Sequence, residues 1–317
     1  MNDVKPRTLG DSDLYVSRLC LGGNVFGWTA DEPTSFRVLD DYVAGGGTFI
    51  DTADSYSAWV PGHTGGESET VIGRWLADRG RPEGLVLATK VSRHPDFPGL
   101  SAANVHAAAN ASLQRLGVDT IDLYYAHFDD ADTPLEESAR AFSELVDQGR
   151  IRYIGLSNHT PDRIRAWLDI CADQGLHAPV CVQPHYNLVE RGVEEELVPL
   201  AQEHGLSLLP YFGLARGFLT GKYRPGGPDV DSPRADSAKA LVEDERALRI
   251  LDALDTVSER LGVSQAAVAL AWLADRPTVS SVLASARNPE QLADLLPVNS
   301  LVLDEESTAL LTGASAA

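Results

Sequence analysis

Four side chains at the ends of apolar runs carry the chemistry this sequence offers: the Asp51 carboxylate, the Tyr56 phenol, the Lys90 ammonium and the His127 imidazole. A lysine facing a crowded interior needs a counter-charge, and Asp51 can supply it. A tyrosine beside that ammonium has its phenolate favoured, so its pKa is expected to fall from about 10. Bringing it near 7 takes about 3 pKa units, or about 4 kcal/mol, within reach of one close ion pair plus a histidine hydrogen bond. Such a tyrosine is a general acid for a carbonyl oxygen becoming an alkoxide, with His127 orienting that oxygen. Nothing in the set is a hydride source, so a reduction requires a nicotinamide cofactor. Taken singly, each residue also suits a structural ion pair or plain packing. Their arrival at successive strand ends is what points to a site.

The elements that must deliver them are legible as alternating short and long segments. Apolar runs fall at 17–23, 48–54, 85–90, 121–127, 151–158, 180–186, 206–212 and 278–284. Their near-continuous hydrophobicity suits parallel strands covered on both faces. The amphipathic segments between them carry helix punctuation. Ser101 caps a helix ending near Gly117. Thr133, Pro134 and Glu136 form a capping box, with Gly149 as the stop. Thr160 and Pro161 open a helix that Gly175 closes. Eight strand–helix units predict an α/β fold, a (β/α)8 TIM barrel over residues 1–317 as one domain. Residues 6–16 read as a hairpin ahead of the first barrel strand. The loop at 213–237 is long enough for a lid, and an extra helix is expected over 239–260, before one at 264–275.

In such a barrel the working residues sit at the C-terminal strand ends. The second strand ends in Asp51 and Asp54, with Tyr56 just beyond. The third ends in Lys90, the fourth in His127 and the fifth in Ser157 and Asn158. The sixth carries Gln183 and the seventh ends in Tyr211.

Composition excludes several other classes. The chain has 26 Lys and Arg against 46 Asp and Glu, a net charge of −20. So acidic a surface repels phosphate backbones and anionic membranes, which argues against nucleic-acid or membrane partners. No apolar run approaches a bilayer span, and the N-terminal stretch has no signal-peptide core. Cys20, Cys171 and Cys181 are odd in number and lack CxxC spacing. Reduced thiols in a cytoplasm are therefore expected rather than disulfides or a zinc site. A metal held by Asp51, His127 and His185 would be opposed by Lys90, so no metal is expected.

The segments FIDTADSYS (49–57), LATK (87–90), IDLYYAHFDD (121–130), YIGLSNHT (153–160), VQPHYNLVER (182–191), PYFGLARGFLTGKY (210–223) and ARNPEQL (286–292) closely resemble the aldo-keto reductase superfamily. The likeness spans about residues 6–296, with the motifs in the family's order. It implies an oxidoreductase barrel that binds NADP(H), with NAD(H) possible, and it agrees with the absence of a strand-following GxGxxG. By resemblance, Tyr56 is the general acid, Lys90 lowers its pKa, Asp51 holds Lys90 and His127 positions the carbonyl. Ser157, Asn158 and Gln183 match residues that bind the nicotinamide carboxamide, and Tyr211 the aromatic that stacks on its ring. Gly22, Gly23 and Asn24 match the turn beside the cofactor. Leu214, Arg216, Gly217 and Lys222 resemble the pyrophosphate-covering segment, and Arg234 the adenosine-side arginine. Arg287 falls where the family meets the 2′-phosphate, with Gln291 and Asp294 following. An arginine forks onto a phosphate, which favours NADPH over NADH.

The chain departs from the pattern at several cofactor-side positions. Phe212 and Gly213 replace a serine and a proline, which implies a different turn there. Ser285 stands for a glycine, and Leu295 for an asparagine that meets the adenine. After Leu303 only one short helix signal follows, which implies an open pocket. Trp28, Trp59 and Phe128 lie just past strand ends and could wall a pocket for an apolar or sugar-like carbonyl substrate. His94, His159 and His185 are expected to make structural hydrogen bonds. The leading expectation is reduction of a small aldehyde, ketone or sugar. The same chemistry in reverse would make an aldose or alcohol dehydrogenase. A cofactor-sensing regulatory subunit, like the potassium-channel β subunits that share the fold, is the third reading. Those subunits carry asparagine where His127 stands here, so the histidine favours an enzyme.

Overall fold

The computed structural model describes residues 6–227 and 238–316. The apolar runs form strands, and side-chain alternation decides what those strands bury. The chain opens with an antiparallel hairpin, β1 (Arg7–Thr8) and β2 (Tyr15–Val16). Then come β3 (Leu19–Gly22), β4 (Phe49–Asp51) and β5 (Val86–Val91). A second small hairpin, β6 (Arg93–His94) and β7 (Phe97–Pro98), follows β5. The series ends with β8 (Ile121–Ala126), β9 (Ile151–Ser157), β10 (Cys181–Gln183), β11 (Ser207–Leu208) and β12 (Val282–Ala284).

Eight of these strands make one sheet in the order β11-β10-β9-β8-β5-β4-β3-β12, with parallel pairing throughout. Leu208 N donates to Thr278 O at 2.8 Å and Ser280 N to Leu208 O at 3.1 Å, which joins the two edges. The protein is thus a (β/α)8 barrel, with each expected barrel strand in place.

Residues two apart on a strand share a face. Cys20, Phe49, Ala88, Leu123, Tyr125, Cys181 and Leu209 form one buried apolar cluster inside the barrel. Leu9, Leu14 and Val16 of the N-terminal hairpin belong to it and plug its lower end. The alternate residues Leu21, Ile50, Leu87, Tyr124, Leu156 and Val182 belong to the larger cluster shared with the helices. Fully burying one such aliphatic or aromatic side chain contributes about 1.5–3 kcal/mol. Continuing the inward parity past the plug gives Asp51, Lys90, His127, Ser157, Gln183 and Tyr211. The same alternation that fills the barrel therefore stacks the polar residues above its core.

Helix boundaries mostly follow their punctuation. Pro161–Gln174 starts at Thr160, whose hydroxyl accepts from Arg163 N at 3.3 Å, and ends at Gly175 with φ 64°. Gly117, with φ 67°, ends Ala102–Leu116. Three expectations need correction. The Thr133 capping box does not form: the helix is Leu135–Asp147, and the Thr133 hydroxyl donates to Asp130 Oδ2 at 2.7 Å instead. Ser101 precedes its helix without a side-chain cap, and Ala102 N donates to Glu137 Oε1 at 2.9 Å. The helix expected over 239–260 is Glu245–Leu261. Asp244 fixes its start, accepting from Arg246 N at 2.8 Å and Ala247 N at 3.2 Å.

Candidate active site

The floor of the site is a buried ammonium with its three protons committed. Lys90 is fully buried and Asp51 is 1% exposed. Lys90 Nζ donates to Asp51 Oδ1, to Thr52 O at 2.7 Å and to Tyr56 OH at 2.9 Å. The second Asp51 oxygen accepts from Gln183 Nε2 at 2.9 Å. Since the Tyr56 oxygen accepts from the lysine, its own proton is left to point elsewhere. Tyr56 lines a cavity of about 850 Å³, and so does His127, whose ring centre is 6.2 Å from that of Tyr56 in an edge-on arrangement. His127 Nδ1 is buried without a partner.

The electrostatics correct one expectation. Burial raises the Tyr56 phenol above its ordinary 10, and the opposing pull of Lys90 does not overcome it. The phenol is thus a protonated donor at neutral pH rather than one poised near 7. Proximity to Lys90 is readable from spacing, but the low dielectric around the phenol is not. Burial pulls Lys90 down, yet the charges of Asp51 and Tyr56 and the bonds to both outweigh it, so its pKa is raised and it stays an ammonium. Burial, then Lys90 and Arg93, hold His127 well below 6.5, so its ring is neutral. Nearby Asp54 is buried, its carboxyl oxygens lack partners, and burial and Glu69 push its pKa well above 3.8.

The polar residues of β9, β10 and β11 knit together beside this floor. Ser157 Oγ donates to Gln183 O at 2.9 Å, and Asn158 Nδ2 donates to His127 O at 2.8 Å and to Ser157 Oγ at 3.0 Å. Tyr211 OH donates to Asn158 Oδ1 at 2.8 Å. His185 stacks nearly parallel on the Tyr211 ring, centres 5.4 Å apart. Ser157, Asn158, Gln183 and Tyr211 all line the cavity. The replaced turn is distinctive: Phe212, Ala215 and Arg216 have φ of 53°, 46° and 59°, and Gly217 has 97°. Left-handed backbone at three non-glycine residues costs of order 1 kcal/mol each, so packing must hold it.

The cofactor-side residues divide in three. Gly22, Asn24, Phe212, Gly213, Leu214, Arg216, Gly217, Lys222, Ser285, Arg287, Gln291 and Asp294 line the same cavity, with Leu295. Gly23 does not line it: Gly23 N donates to Asp51 O at 2.8 Å, and a side chain there would meet Ser68 Oγ. Arg234 lies outside the described residues. The cations share one feature. Among the described residues, Arg216, Lys222 and Arg287 have no carboxylate partner; Arg216 stacks over Phe212 at 5.0 Å and Lys222 over Tyr223 at 5.3 Å. Burial, then the Arg287 charge, lowers the Lys222 pKa. Like charges close together and without a carboxylate partner suit an anion. The residues present therefore fit a nicotinamide dinucleotide, with hydroxyl, amide and aromatic groups beside the tetrad and cations beside the ends of β11 and β12.

Trp28, Trp59 and Phe128 wall the cavity as expected, Trp28 and Trp59 meeting edge to face at 5.4 Å. Trp59 is 53% exposed, so its ring stands at the mouth. Sequence reasoning missed Val25 and Thr29 in the turn after β3, and Ser264 and Ala266 at the start of helix Gln265–Ala274, all in the lining. Arg93 lies over the Phe128 ring at 4.0 Å. Its placement depends on a backbone kink at the preceding Ser92, with φ 123°, that no pattern announces.

An eight-stranded parallel barrel with a buried lysine–carboxylate pair bonded to a cavity tyrosine defines an oxidoreductase class of site. The model of the aldo/keto reductase family matches residues 18–316, and the chain belongs to that family. It is an oxidoreductase, of a family that acts on small carbonyl compounds and generally uses NAD(P)H. It is 35% identical over 313 residues to an uncharacterized oxidoreductase, YrpG, of Bacillus subtilis (strain 168), covering 96% of this chain and 93% of the relative. It is 34% identical to a probable voltage-gated potassium channel subunit beta of Oryza sativa subsp. japonica, over 91% of this chain and 89% of the relative. The aldo-keto reductase YhdN of Bacillus subtilis (strain 168) is 32% identical, over 94% of this chain and 90% of the relative. No described helix is long and apolar enough to cross a membrane.

Proposed function

We propose that this chain, acting as one catalytic barrel, is an NADP(H)-dependent reductase of small aldehydes and ketones, with Tyr56 as its general acid. The observation that carries this reading is the Lys90 ammonium, bonded to Asp51, Thr52 O and Tyr56 OH directly beneath the cavity. The bound dinucleotide supplies the hydride. The chain's own residues do the rest. Tyr56 gives its proton to the carbonyl oxygen, and the ammonium stabilises the phenolate left behind, where low dielectric strengthens the interaction. Asp51 keeps that ammonium charged and in place. His127, neutral, donates to the same oxygen and orients it. Ser157, Asn158 and Gln183 hold the carboxamide, and Tyr211, braced by His185 and Asn158, offers a flat face to the nicotinamide ring. Arg216, Lys222 and Arg287 receive the phosphates. Free, buried cysteines suit a reducing compartment such as the cytoplasm.

The channel-subunit relatives favour a second reading, a cofactor sensor without turnover; the neutral His127 facing the cavity favours catalysis over it. Consumption of NADPH, and separately NADH, against aldehydes, ketones and aldoses tests the proposal. Oxidation of NADPH with a carbonyl substrate is expected, and Arg287→Ala should weaken NADPH about tenfold while NADH hardly changes, the scale of a lost charge-assisted pair. Equal loss of both cofactors would remove the phosphate assignment. Tight cofactor binding with no turnover in either direction would favour the sensor.

A further inference from the structure

A cation stacked on Phe128, a ring of the cavity wall, has no place in that mechanism. Arg93 lies in the β6–β7 hairpin, paired with Pro98. Its guanidinium carbon stands 4.0 Å from the centre of the Phe128 ring, and that ring centre is 5.0 Å from the ring of His127. Arg93 is exposed, and among the described residues it has neither a carboxylate partner nor a hydrogen bond. By contrast Arg115 is committed to Glu69 at 2.6 Å, and Arg163 to both oxygens of Asp129 at 2.7 Å. Two acids on the neighbouring loop are committed too. Asp129 is taken by Arg163, and Asp130 accepts from Leu100 N and the Thr133 hydroxyl at 2.7 Å. In a chain with 46 acidic and 26 basic residues, this guanidinium next to the His127–Phe128 pair is left without an acid among the described residues.

The backbone holds it there at a cost. Ser92, two residues after Lys90, has φ 123°, a conformation that side-chain-bearing residues rarely adopt. Its hydroxyl accepts from Phe128 N at 3.1 Å and its carbonyl from Gly99 N at 3.0 Å. These bonds tie the kink to the Phe128 loop and set the guanidinium on that ring. A stacked guanidinium keeps its edge N–H groups available in a fork that matches a carboxylate. The surrounding field of a −20 protein repels anions, so an anion binding here needs a local cation such as this one.

We propose that Arg93 receives a carboxylate of the substrate, so that the preferred substrates are carbonyl compounds bearing a carboxylate about one ring's breadth from the reacting carbon. The carbonyl oxygen lies on Tyr56 and His127, the apolar body lies against Phe128, Trp28 and Trp59, and the carboxylate meets the guanidinium. The inference rests on the reductase reading.

The test compares para-carboxybenzaldehyde with its uncharged methyl ester, using NADPH and wild type, Arg93→Lys, Arg93→Ala and Arg93→Glu. The readout is the acid-to-ester ratio of kcat/KM, in which any general damage to the fold cancels. Wild type should prefer the acid, and Arg93→Ala should lower the ratio about fivefold, the scale of a partly exposed ion pair. Arg93→Lys should keep most of the preference and Arg93→Glu should reverse it. Added salt should lower the wild-type ratio and leave that of Arg93→Ala unchanged. Turnover of both aldehydes with a ratio indifferent to Arg93 would overturn this proposal alone. Failure of wild type to reduce either one would overturn it together with the reductase reading.

Discussion

Proton chemistry in this site is decided by how buried each group is. Reduction calls for a protonated phenol and a neutral imidazole, and burial provides both. It holds Tyr56 above 10 and His127 well below 6.5. The reduction rate is therefore expected to stay flat between those two values in a kcat profile. Alcohol oxidation needs the phenolate and should climb with pH across the same window. A reduction profile with a limb near pH 7 would contradict this assignment of burial over the Lys90 charge. The sign for stability follows from the same histidine. Its folded pKa lies below its unfolded value, so the unfolded state binds more protons, and stability is lost as pH falls below about 6.5. That Asp51, Tyr56, Lys90 and His127 come together at one end of the barrel was legible in the sequence. The direction of the Tyr56 shift was not, because a charge partner is visible in spacing and a dielectric is not.

At the level of elements, periodicity carried most of the information. Eight near-continuous apolar runs gave the strands, and the period of two along each placed polar residues above an apolar plug. What escaped were features decided by competition for hydrogen bonds. Thr133 looks like a cap, but Asp130 takes its hydroxyl. Asp244, unmarked in the sequence reading, caps the helix Glu245–Leu261, whose Ile250, Leu251, Leu254 and Val257 are buried. Asp244→Ala should cost about 1 kcal/mol and lower the melting temperature by about 2 °C, measured by thermal unfolding. No change would mean that the preceding turn, not this cap, sets the helix start. Ser92 escaped for a different reason: a φ of 123° at a serine is imposed by tertiary contacts, and local sequence does not encode it. The same kink sets Arg93 on the Phe128 ring.

For the molecule as a whole, two opposed electrostatic patterns coexist. The chain carries −20 overall, yet Arg216, Lys222 and Arg287 in the lining of one cavity, and Arg93 on the Phe128 ring of its wall, have no carboxylate partner among the described residues. Acidic residues neutralise many of the arginines elsewhere, such as Arg81 and Arg152 on Asp122 and Arg260 on Asp304. Unpaired cations gathered on the walls of one cavity make that cavity suited to anions. The cofactor phosphates and a carboxylate-bearing substrate are the anions this reading assigns to it. Composition alone showed the acid excess, but pairing is a three-dimensional property, and only the fold separates committed cations from uncommitted ones.

The central claim is that Tyr56 hands over the proton, and one comparison tests it most directly. Wild type and Tyr56→Phe are assayed side by side for NADPH oxidation with an aldehyde, and each is titrated with NADPH by fluorescence. The account predicts a loss of turnover of about 10²-fold or more, the usual worth of a positioned general acid, with NADPH affinity unchanged. Turnover that survives the substitution, with cofactor still bound, would contradict it.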